Sequence, residues 1–148
     1  MGGERLEVVI HIDGGARGNP GPAGAGVVVQ SADDGTVLFE AGYYLGRATN
    51  NVAEYQALLK ALARAKALGA GDVEVRSDSE LLVRQMNGEY RVKNAGLKPL
   101  FERACRAGKS FRRLVVRHIR RELNQHADLL VNRALDARAN VEDAAEDD

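Results

Sequence analysis

Apolar and polar positions along this chain switch repeatedly between a period of two and a period near 3.6. Residues 5–12 (R-L-E-V-V-I-H-I) predict a strand, apolar on both faces near its end and therefore central in its sheet. Strands are also predicted over 24–31 and 36–44. Asp33-Asp34-Gly35 between them supplies turn chemistry and makes the pair a hairpin. Over 51–68 the period becomes helical, with Val52, Tyr55, Leu58, Leu59, Leu62 and Ala65 on one face. Asn50 or Asn51 is the expected N-cap, and Gly69 ends the helix. A strand over 72–77 follows, then helices near 79–87 and 97–107, the second with Pro99 in its first turn. A strand over 114–119 and a helix over about 125–138 complete the pattern.

This order, a hairpin followed by alternating strands and helices, implies an α/β fold with a mixed sheet and helices packed on it. Crossovers should be right-handed, and ligands should gather outside the carboxyl ends of the parallel strands. The 148 residues fit one domain over 1–139, followed by a short acidic tail, 140–148, expected to be disordered. No internal repeat interrupts the body.

Composition narrows the class. No apolar run approaches a membrane span, and the first residues (M-G-G-E-R-L-E) contain no export signal. Cys105 is the sole cysteine, which rules out an intramolecular disulfide and a cysteine zinc site and suits a reducing cytoplasm. The formal net charge of zero conceals an uneven distribution. Without residues 141–148 the chain holds 21 bases against 16 acids, a charge of +5. Lys109, Arg112, Arg113, Arg117, Arg120 and Arg121 are concentrated in one short segment, either a solvated strand flank or a polyanion-binding surface.

Candidate chemistry lies in four acids. Asp13 follows the first strand in D-G-G-A-R-G-N-P-G-P, and Asp78 follows the fourth in S-D-S-E. Glu54 sits in the predicted first turn of its helix and Asp128 near the start of the last one, where helix N-termini should lower their pKa. Each acid has an ordinary alternative. Asp13 suits a turn, Ser77 with Glu80 matches a capping box around Asp78, and Glu54 and Asp128 complement helix dipoles. Four acids at equivalent topological positions nonetheless point to a cation held by hard oxygen ligands, as Mg2+ is, and to phosphoryl chemistry. The glycine-rich stretch after Asp13 fits neither a dinucleotide fingerprint nor a P-loop. His11 and His118 read as structural strand residues. His126, two residues before Asp128, is an auxiliary candidate for product release or proton transfer.

Taken together, D-G-G-A-R-G-N-P-G-P, G-R-A-T-N-N-V-A-E-Y, R-S-D-S-E-L-L-V-R-Q and R-E-L-N-Q-H-A-D-L-L-V-N-R-A-L resemble type 1 ribonuclease H over about residues 8–137. The resemblance implies a five-stranded mixed sheet of order 3-2-1-4-5 with helices on both faces. It implies hydrolysis of the RNA strand of RNA–DNA hybrids, leaving 3′-hydroxyl and 5′-phosphate ends. Two Mg2+ ions, with Mn2+ as substitute, are implied with substrate: Asp13 bridging, Asp128 on one side, Glu54 and Asp78 on the other. Gly14, Gly15, Asn19, Asn50 and Asn51 are implied minor-groove contacts. Arg47 and Thr49, with Asn19, match the family's pocket for a phosphate of the DNA strand.

The chain also departs from the best-known members. Glu80 stands where many carry Gln, the basic handle helix with tryptophans is absent, and the histidine-bearing loop is cut to R-R-E-L-N. This compact form resembles a branch in which some members also cut double-stranded RNA, a second candidate substrate. No obligate protein partner and no membrane association are implied. The alternatives left open are a noncatalytic hybrid-binding module and another nuclease of the same superfold, such as a junction resolvase or exonuclease.

Overall fold

The computed structural model describes residues 6–142. The elements run β1 (Leu6–Ala16), β2 (Gly21–Ser31), β3 (Val37–Ala48), α1 (Asn50–Ala67) and β4 (Ala70–Ser77). They continue with α2 (Glu80–Met86), α3 (Lys98–Gly108), β5 (Arg113–His118), a 3-10 turn (Arg121–Leu123), α4 (Gln125–Ala137) and β6 (Val141–Glu142).

The strands form one mixed sheet of order β5-β4-β1-β2-β3-β6. β1 runs antiparallel to β2 and parallel to β4, which runs parallel to β5. The expected order holds, but the sheet has six strands rather than five. Val141 and Glu142 lie antiparallel to Gly42 and Ala41 and satisfy part of the β3 edge. The rest of the acidic run, 143–148, falls outside the described residues.

Alternation decides which face each side chain serves. Val8, Ile10 and Ile12 of β1, with Val27 and Val29 of β2, pack against Tyr55, Leu58, Ala61 and Leu62 of α1 in the main core. The opposite face takes α4, whose Ala127 and Leu130 cluster with Val28. That face is lined with glycines: a Cβ on Gly26 would stand 2.2 Å from the Ala127 carbonyl oxygen, and one on Gly42 2.2 Å from that of Leu130. Backbone-to-backbone approach of α4 is therefore possible only because these positions lack side chains.

The same requirement explains why β1 and β2 are longer than their hydrophobic runs. Asp13-Gly14-Gly15-Ala16 remains in register with Ala23–Gly26 rather than turning. A Cβ on Gly14 would stand 2.4 Å from the Ala53 carbonyl carbon, so α1 seats against the other face here. Residues that resemble a glycine-rich loop form the ladder on which both helices rest.

Two capping expectations are corrected. The α1 N-cap is Thr49, not Asn50 or Asn51, with its Oγ1 accepting from the Val52 amide at 3.2 Å. Ser79, not Ser77, caps α2, its Oγ accepting from the Leu82 amide, while Ser77 Oγ accepts from the Ser79 amide. At the other end of α1, Gly69 adopts φ +81°, the left-handed conformation that stops a helix.

Candidate active site

Ile12 and Ser77 are paired neighbours on parallel strands, so Asp13, still within β1, lies beside Asp78, the first residue past the end of β4. α1, seated on Gly14, presents Glu54 to the same point, and α4, seated on Gly26 and Gly42, brings Asp128. The four acids line one cleft of about 390 Å³, together with Gly14, Gly15 and Asn50. One carboxylate oxygen each from Asp13, Glu54 and Asp78 lie within 4.8 Å of one another.

Burial sets the electrostatics. Asp13 is pushed up to about 8, first by burial, then by the Asp78 charge and a hydrogen bond shared with Asp128. Glu54 is raised well above the carboxylate range by burial, then by Asp13 and Asp78, with Arg121 opposing. The expectation that a helix N-terminus lowers Glu54 is overturned. α1 begins at Asn50, so Glu54 falls in its second turn, where the dipole has faded and desolvation prevails.

A divalent cation fits this donor set. At a separation near 4.8 Å, two ionised carboxylates repel by about 3–4 kcal/mol in a moderately screened site. Glu54 Oε1 is buried without a hydrogen-bond partner. Hard oxygens, mutual repulsion and an unpaired acceptor are what an oxygen-loving ion resolves.

The rim amides are committed on one side only. Asn19 Oδ1 accepts from the Asn50 backbone amide at 3.0 Å, and Asn50 Oδ1 accepts from that of Ala16 at 2.8 Å. Their NH2 groups make no hydrogen bond among the described residues. Asn51 and Arg47 are exposed beside them. Glu80 does not line the cleft: its carboxylate pairs with Arg84, which also holds Glu89 and lies against the Tyr90 ring. His126 does not line the cleft. Its Nε2 lies 2.6 Å from Glu40 Oε1 on β3.

Asn124, Asn132 and Arg17 contribute without being marked by the sequence, and Arg121 of the basic cluster joins them. Asn124, 1% exposed, donates from Nδ2 to the Ile12 carbonyl at 2.8 Å and to Asp78 Oδ2 at 3.0 Å. Asn132 donates to the Asp128 carboxylate and carbonyl, and Arg17 reaches both Asn132 and Asp136. Arg121 lines the cleft. The N-cap pattern of asparagine before the last helix was visible in sequence; the burial of its side chain was not.

The arginine cluster is divided by β5. Arg112 pairs with Asp72, and Arg113 is in register with Asp72, six residues before Asp78 and roughly 20 Å from it along the strand. Arg117 pairs with Glu74. Only Arg120 and Arg121 follow the end of the strand near the acids.

Sheet order, opposed helices and a carboxylate cleft where β1 passes the end of β4 define a ribonuclease H-like nuclease fold. A family profile described as reverse transcriptase-like matches residues 11–134. The chain is 48% identical over 134 residues to the bifunctional protein Rv2228c of Mycobacterium tuberculosis, covering 90% of this chain and 37% of that protein. It thus spans a little over a third of the length of that relative. Crystalline RNase H1 of Halobacterium salinarum superposes with a TM-score of 0.86 at 41% identity, covering 88% of this chain and 98% of the other. LC11-RNase H1, solved in complex with RNA/DNA hybrid, superposes at 0.84 and 47% identity, covering 89% and 99%. The chain belongs to the type 1 ribonuclease H family, which is divalent-metal dependent.

Proposed function

We propose that this chain is an endoribonuclease that hydrolyses the RNA strand of RNA–DNA hybrids, leaving 5′-phosphate and 3′-hydroxyl ends. The observation that carries the reading is the convergence of Asp13, Glu54 and Asp78 oxygens within 4.8 Å, with Asp128 joined to Asp13 in the same cleft. Asp13, Glu54, Asp78 and Asp128 hold Mg2+, with Mn2+ as substitute, and two ions are held once substrate is present. Ions held there would supply activation of the attacking water and charge stabilisation of the departing 3′ oxygen. The protein's own work is placement: α1 and α4 bring Glu54 and Asp128 to strand ends that are fixed by the sheet ladder.

Substrate choice falls to the rim. The uncommitted NH2 groups of Asn19 and Asn50, with Asn51, donate to 2′-hydroxyl or base acceptors in the minor groove, and Gly14–Gly15 lets the backbone approach. Arg47 and Thr49 receive a phosphate of the DNA strand. Glu80, occupied by Arg84, contributes through that ion pair, and His126 has no place in the reading. A cytoplasmic location is supported by Cys105 being the only cysteine.

The test is incubation with end-labelled RNA–DNA hybrid, double-stranded RNA and double-stranded DNA in Mg2+ or Mn2+. Cleavage of the RNA strand of the hybrid with 5′-phosphate products is expected. Equal cutting of an all-DNA duplex refutes the reading.

A further inference from the structure

We infer that Asn124 is a positioning residue whose carboxamide fixes the Asp78 carboxylate to β1 at Ile12 and to the start of α4. The inference rests on the cleft being a divalent-metal site.

Asn124 occupies the N-cap of α4 but makes no side-chain cap bond. Asparagine is favoured there because Oδ1 ordinarily accepts an amide proton from the first turn. Here the side chain is turned inward and almost wholly buried. Both Nδ2 partners, the Ile12 carbonyl and Asp78 Oδ2, are acceptors, so the NH2 end must face them. The backbone carbonyl of the same residue accepts from the Asp128 amide at 3.1 Å. One residue thus touches the strand immediately before Asp13, the carboxylate of Asp78 and the backbone of Asp128.

This arrangement has two local costs. The α4 N-terminus forgoes a side-chain cap, and Asn124 Oδ1 is left buried without a partner. Unpaired buried acceptors are rare in folded proteins, and those present tend to mark functional sites. The compensation is control of Asp78. Among the described residues, the Asn124 amide is the one hydrogen-bond donor to that carboxylate. Without it, repulsion from Asp13 and Glu54 turns Asp78 toward solvent and breaks up the oxygen set. Partners that orient metal ligands typically matter 10–100-fold in metal affinity or activity.

The experiment compares the parent with Asn124→Ala by Mn2+ titration without substrate, followed by calorimetry and metal-dependent melting, and then by steady-state cleavage. The expected result is Mn2+ affinity about 10–100-fold weaker, an unchanged KM for hybrid, and a kcat that recovers as metal is raised. A purely structural role lowers the metal-free melting temperature and leaves the metal midpoint alone. Should the alanine variant not fold, Asn124→Ser, which keeps a hydroxyl and admits water, is measured in its place. A midpoint within about threefold of the parent in the folded variant overturns the inference, as does loss of fold in both. If the parent itself binds no Mn2+, the metal-site reading fails instead, and the two failures are distinct.

Discussion

Replacing Asp13 by Asn tests whether the cleft is held against its own electrostatics. Asp13 ordinarily titrates at 3.8 and is here pushed up to about 8. The folded state therefore binds more protons than the unfolded state between those values, so stability is present below the lower value and lost as pH rises through the upper one. Glu54, also raised, acts in the same direction. Each pH unit of that span is worth about 1.36 kcal/mol, giving a ceiling of about 6 kcal/mol. Because Asp13 titrates jointly with its neighbours, the effect is shared among them, and a loss of at least about 2 kcal/mol is expected for the metal-free parent between pH 5 and pH 8. His11, whose pKa burial and then Arg76 lower, works in the opposite sense but is common to both proteins. Urea unfolding in chelator at the two pH values is the assay. With a slope of roughly 2 kcal/mol per molar urea, the parent midpoint should fall by about 1 M and the Asp13→Asn midpoint by much less. The variant should also be the more stable protein at pH 8 without metal, and inactive with it. Parallel pH dependences in the two proteins refute the argument.

Other outcomes follow from the same geometry. Gly26→Ala should cost about 1–3 kcal/mol by overpacking and lower kcat by displacing α4, since its Cβ meets the Ala127 oxygen at 2.2 Å; thermal melts and kinetics check this. Asn19→Ala and Asn50→Ala should raise KM for the hybrid, and a hybrid lacking 2′-hydroxyls at the cut should resist the parent in gel assays. Neutralising Arg120 and Arg121 should flatten the salt dependence of hybrid affinity by up to about two log units per decade of salt. Neutralising Arg112 and Arg113, at the far end of β5 and in one case tied to Asp72, should leave that slope unchanged in a fluorescence titration.

Periodicity alone determined the order of the elements from β1 to α4, because burial imposes a countable repeat on each, whereas β6 is two residues long and shows none. Four acids in four separate segments pointed to a cation site, and the fold brings all four to one cleft. Four features depended on tertiary structure. Asp13-Gly14-Gly15 resembles a turn locally, yet it is a strand, because two helices need bare backbone to rest on. Thr49 and Ser79 won the caps because the competing Asn50 and Ser77 side chains were drawn into contacts with Ala16 and Ser79. Arg112 to Arg121 form one cluster in the chain, but a strand rising about 3.3 Å per residue carries its two ends to opposite ends of the sheet. Asn124 shows the limit most clearly: the sequence marks a helix start, but only the packing of α4 across β1, β2 and β3 turns that amide toward Asp78.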